Sequence, residues 1–165
     1  MSKKRREEIV EYLKDLRERI ILQFESLEPS QRFVRTPWDY HAGDGGGEIS
    51  LVRGDVFEKA AVNWSGVSGD KYPMQDNTGP FFATGVSLIT HMANPHAPTV
   101  HMNVRYIEAG DRFWFGGGYD LTPMGFPYAE DTQYFHETAK GCLDAHGSNL
   151  YAQFSKNAKE YFYIP

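Results

Sequence analysis

The sequence predicts an α+β fold: an antiparallel β-sheet flanked by α-helices on both faces. Three observations lead there. Apolar residues recur at three- and four-residue spacing over 4–28. Several alternating apolar/polar runs follow, separated by tight-turn residues. Helical spacing then returns from about residue 129 onward.

Taken in order, residues 4–28 carry Ile9, Leu13, Leu16, Ile20, Phe24 and Leu27 on one stripe, with Pro29 as the stop. The charges opposite are mixed in sign, which marks a packing helix rather than a membrane-surface helix. Residues 30–47, with Pro37 and the run Gly43-Asp44-Gly45-Gly46-Gly47, read as an irregular loop. A flexible or close-approach loop is favoured there over a phosphate loop, since no strand precedes the run and no Gly-Lys-Ser/Thr follows it. Glu48–Val52 reads as a strand with Ile49 and Leu51 inward, joined through Arg53-Gly54-Asp55 to a second strand over Val56–Trp64. Ser65–Gly79 reads as a polar loop. Phe81–Met92 is a strong strand, followed by the rigid turn Asn94-Pro95-His96-Ala97-Pro98. Strand 99–107 turns at Glu108–Asp111 onto Arg112–Phe115, giving about five strands in all. Two helices close the pattern. The first runs over Ala129–Gly147; the second, over Ser148–Phe162, has Ser148 as its cap and Leu150, Phe154 and Ala158 inward. The 165 residues are read as a single domain.

Composition narrows the function classes. Hydrophobic residues make up 41% and charged residues 24%, a globular balance. A formal net charge of −5 leaves no cationic excess for nucleic acid, so none is expected as a partner. No apolar run reaches membrane-spanning length. Cys142 is the one cysteine, which rules out an intrachain disulfide and a CxxC motif and fits a cytoplasmic setting.

Chemistry concentrates on Thr99–Arg105. As a strand it sends His101, Asn103 and Arg105 to one face and Val100, Met102 and Val104 to the other. Alternation alone leaves two readings open, a solvated face or a site. Ser87 and His91 fall on one face of the preceding strand. Asp120 follows three glycines, which let a flat ligand come close to the backbone; it either caps a turn or supplies a fixed anion. Among six histidines, His91, His101 and His136 allow a metal site, but no HxH or HExxH spacing supports one. Nucleophile-elbow, Walker and Rossmann motifs are absent.

Several blocks strongly resemble the oxygen-dependent coproporphyrinogen III oxidase family. They are Gly45-Gly46-Gly47, Val56-Phe57-Glu58-Lys59-Ala60-Ala61-Val62-Asn63, Gly85-Val86-Ser87, the unbroken run from Asn94 to Tyr106, Trp114-Phe115-Gly116-Gly117-Gly118-Tyr119-Asp120-Leu121-Thr122-Pro123, and Glu160-Tyr161-Phe162-Tyr163-Ile164. The resemblance implies a homodimeric oxidoreductase of haem biosynthesis. Such an enzyme converts two propionates of coproporphyrinogen III to vinyl groups, with O2 as oxidant and no organic cofactor. It further implies His101 as the acid–base residue, Arg105 as a carboxylate clamp and Asp120 facing the pyrrole N–H groups. Ser87, Asn103 and the Val104 backbone would line the substrate site. His91, His101 and His136 match positions proposed as metal ligands in bacterial members, and the resemblance leaves metal dependence open.

Family members continue past the Tyr-Phe-Tyr-Ile segment. More chain is therefore expected beyond Pro165, and the 165 residues alone are expected to be inactive and poorly stable. Two other readings stand beside this one: a tetrapyrrole-binding module without catalysis, and an unrelated interaction domain. The oxygen-independent enzyme for the same step is excluded, because its cluster needs several cysteines.

Overall fold

A computed structural model describes residues 3–73 and 79–164. The chain forms two compact units, 1–124 and 125–165. In order, the first contains α1 (Lys3–Leu27), β1 (Val34–Asp39), β2 (Asp44–Val52), β3 (Phe57–Gly69), β4 (Phe81–Met92), β5 (Thr99–Ala109) and β6 (Arg112–Thr122). The second contains α2 (Ala129–Asp144) and α3 (Leu150–Tyr161). The six strands make one antiparallel meander whose spatial order is the chain order, β1-β2-β3-β4-β5-β6. The expected α+β class holds, with one strand more than expected.

The extra strand comes from 30–47. Val34–Asp39 pairs with Asp44–Val52, so the glycine run is ladder rather than loop. Pro37 is tolerated because β1 is an edge strand with one side unpaired. The glycines serve close approach: a Cβ on Gly47 would stand 2.8 Å from two ring atoms of Trp38. Likewise β3 runs on to Gly69 through residues read as loop, and Gly116–Gly118 lie inside β6. The rest of the expected 65–79 loop includes 74–78, outside the described residues.

α1 lies over β3 and β4. Its stripe meets Val52, Phe57, Ala60, Val62, Val86 and Leu88, with Leu13 and Ile21 at the centre of the core. Phe24 stacks against Phe57 at 5.3 Å between ring centroids. Leu27, expected on that stripe, is exposed, while the adjacent Glu28 takes the buried position at the helix end. In β2 the expected facing is reversed. Ser50 and Val52 are buried against the helix side while Ile49 is exposed, since the register with β3 sets the face and local hydrophobicity does not override it. Arg17, also buried, ion-pairs Glu48 at 2.8 Å and Glu18 at 2.6 Å, which occupies the polar end of the helix face.

The C-terminus of α1 is fixed by one carboxylate. Glu28, fully buried, accepts hydrogen bonds from Ser30 N–H and Oγ–H and from the N–H groups of Asp55, Val56 and Phe57. It thereby ties the helix end to the β2–β3 turn. Burial pushes the carboxyl upward, but these donors outweigh it and hold it at about 2.

In the second unit α2 and α3 form a hairpin in which Ala139 is the buried residue. Asn149, not Ser148, occupies the N-cap of α3, with φ 66 and no side-chain cap bond. Phe154, expected inward, is exposed, because two helices alone bury only the seam between them.

Candidate functional site

The registers of the sheet set side chains in rows across its helix-free face in the first unit. One row reads Leu51, Ala61, Ile89, His101, Asp120. The next reads Asn63, Ser87, Asn103, Gly118. A third reads Gly47, Ser65, Gly85, Arg105, Gly116. The three polar residues of Thr99–Arg105 therefore share a face with Ser87 and Asp120, as alternation predicts. Val104 sends its side chain the other way, toward the core cluster, and its backbone lies in the ladder between Val86 and Gly117.

The middle of this face is a low floor. Gly85, Ser87, Gly116 and Gly118 bring little or no side chain, and a Cβ added at Gly118 would meet nothing within 4 Å. Arg105 leans across β6, its Nε 3.3 Å from where a Gly116 Cβ would stand. Among the described residues Arg105 has no ion pair or hydrogen bond; it is exposed and available to an anion.

His101 and Asp120 meet directly across the β5–β6 pair, Nδ1 to Oδ1 at 2.9 Å. Thr122 Oγ donates to the same Oδ1 at 3.0 Å. With the Asp120 carboxylate as acceptor, Nδ1 of His101 carries the hydrogen of this contact. Among the described residues His101 Nε2 and Asp120 Oδ2 have no hydrogen-bond partner. Both side chains are a little under half exposed, at 44% and 47%, so a ligand on the floor reaches them. Thr122 escaped the sequence reading; the Asp-x-Thr alternation, which puts residues 120 and 122 on one face, was the available signal.

His91 lies on the same face as His101, diagonal to it across β4 and β5. His136 belongs to the second unit, where its Nδ1 is 2.9 Å from the Tyr151 hydroxyl. Among the described residues, neither unit by itself assembles three His, Cys, Asp or Glu side chains into a metal-holding group.

A sequence profile for coproporphyrinogen III oxidase matches residues 8–165. The chain belongs to the coproporphyrinogen III oxidase family. Proteins named oxygen-dependent coproporphyrinogen-III oxidase are similar to it over 99% of its length. The one from Rickettsia bellii (strain OSU 85-389) is 39% identical and covered over 63% of its own length. The one from Prochlorococcus marinus (strain MIT 9313) is 41% identical and covered over 48%. The one from Coxiella burnetii (strain Dugway 5J108-111) is 39% identical and covered over 57%. The chain therefore spans about half the length of the curated relatives it matches. No helix among the described residues is long and apolar enough to cross a membrane.

Proposed function

We propose that this chain carries the substrate floor and proton-handling pair of an oxygen-dependent coproporphyrinogen III oxidase, acting in haem biosynthesis. What supports this most directly is the His101–Asp120 contact beside an unpaired Arg105, on a floor of glycine and serine. In the reaction each of two propionates loses CO2 and becomes a vinyl group. The C–CO2 bond and one C–H bond break, and O2 takes up the two electrons and two protons released. The reduced tetrapyrrole is electron-rich, so the protein's tasks are to hold it and to move protons.

Arg105 grips a propionate through its planar guanidinium, with Ser87 and Asn103 as nearby donors. Val104 contributes by its backbone, which sets the spacing between Asn103 and Arg105 on the floor. Asp120 Oδ2 accepts from pyrrole N–H groups and stabilises positive charge developing on the ring. His101 Nε2 takes the proton that leaves. A homodimer in the cytoplasm is part of the same proposal, the latter supported by one exposed, unpaired Cys142.

The test is direct. The longer protein expected to contain this chain is titrated with coproporphyrin III, the stable oxidised form of the substrate, by fluorescence, beside the 165 residues alone, for which no turnover is expected. It is then given coproporphyrinogen III in air, and protoporphyrin is measured after oxidation of the product. Saturable binding supports the floor, and product formation supports the chemistry. Binding without product favours the non-catalytic module, and no binding overturns the proposal.

One substitution isolates the floor. Gly118→Leu is expected to leave the melting temperature unchanged, because nothing lies within 4 Å of the new Cβ. The same side chain fills the space above Asn103, so coproporphyrin affinity is expected to fall at least about tenfold.

A further inference from the structure

We propose that Asn63 is a further substrate-binding residue, holding a second, non-reacting carboxylate of the tetrapyrrole. The inference rests on the function proposed above and extends its site to the neighbouring strand. Asn63 stands directly across from Ser87, and Ser87 directly across from Asn103, so the three lie in one row over β3, β4 and β5. The row is about 10 Å long, two strand spacings. That matches a ligand whose acidic arms are spread around a wide ring rather than one with a single anion.

The orientation of Asn63 is fixed by its other partner. Its Oδ1 accepts the Ser50 backbone N–H at 3.2 Å, where the β2–β3 ladder has no direct pairing between Glu48↔Trp64 and Leu51↔Ala61. A backbone N–H requires an oxygen, so the amide nitrogen takes the opposite side. Among the described residues Nδ2 has no partner, and it carries two donors on the floor side. Arg105 is one row along and two strands away, which leaves room for two carboxylates of one macrocycle to be held apart. A neutral amide suits the non-reacting arm. It fixes position without adding a second cation beside the anion at Asp120.

The two jobs of Asn63 separate in two variants. Asn63→Asp keeps an oxygen for the Ser50 N–H but sets a negative charge against the ligand's carboxylate. Asn63→Ala removes both the acceptor and the donor. Melting temperature is expected to rank wild type, then Asn63→Asp, then Asn63→Ala. Coproporphyrin III affinity is expected to rank differently: about tenfold lower in Asn63→Ala than in wild type, and lower again by at least that factor in Asn63→Asp. The crossing of the two orders is the signature. If Asn63→Asp binds as well as or better than Asn63→Ala, the residue serves only Ser50 and the inference is overturned. If the wild-type chain itself fails to bind coproporphyrin, the underlying function falls and this inference with it.

Discussion

Asp120→Ala, made in the longer protein expected to contain this chain, is expected to lower conversion of coproporphyrinogen III by about 100-fold or more, while sparing part of the affinity for coproporphyrin. The asymmetry follows from what Asp120 touches. It meets His101 at Nδ1 and, in the proposed reaction, offers its second oxygen to the ligand, whereas Arg105 makes no contact with it. Without the carboxylate the imidazole loses its fixed tautomer, and the developing positive charge loses its counter-ion. Two readouts make the result interpretable. Nitrogen chemical shifts of His101 should change from one dominant tautomer to a mixture, and the fluorescence titration should still saturate. Unchanged turnover would move the chemistry to another part of the molecule. Unchanged His101 shifts would show that the pair is not coupled in solution.

The second large effect concerns stability. Glu28→Ala strands the backbone donors of Asp55, Val56 and Phe57 in a buried site, and the melting temperature is expected to fall by at least about 10 °C. Glu28→Gln is the gentler probe. It keeps one oxygen but turns an N–H2 group toward donors that need an acceptor, so it should also destabilise. The pH dependence has a definite sign. The folded carboxyl is held at about 2 against an ordinary value of 4.5, so its contribution is complete above pH 4.5. It is lost as pH falls from there toward 2. The difference in melting temperature between wild type and Glu28→Gln should therefore be constant near neutrality and shrink through that window. A difference that does not narrow on acidification would mean Glu28 is not ionised in the fold.

The grouping of the candidate residues on one face was more legible than the sheet around them. Seven residues, Thr99–Arg105, alternate so regularly that one strand assignment places His101, Asn103 and Arg105 together. The triple glycine before Asp120 marked a cleared surface, and Gly118 does open onto empty space. β1 was hidden because Pro37 and the glycine run are loop signals by composition, and only pairing with β1 on one side and β3 on the other makes the glycines ladder residues. Ile49 and Leu51 misled for a related reason. Hydrophobicity says that a residue prefers burial, but the face it receives is decided by register, which depends on a strand far along the chain. The Glu28 cradle could not be read at all, since four of its five donors are backbone groups and these carry no residue signature.

The sequential strand order has a consequence for how the molecule assembles. Every strand pairs with its immediate predecessor in the chain, so each pairing closes only a short loop, and the sheet can grow hairpin by hairpin from either end. The His101–Asp120 pair belongs wholly to the two-residue hairpin that turns at Gly110 and Asp111. Its geometry is therefore set inside one hairpin, by residues 19 apart in the chain. Asn63, Ser65 and Gly47 join the same surface only after β3 and β2 zip on. The His101–Asp120 contact thus needs one hairpin, whereas the row through Asn63 needs β3, β4 and β5 together.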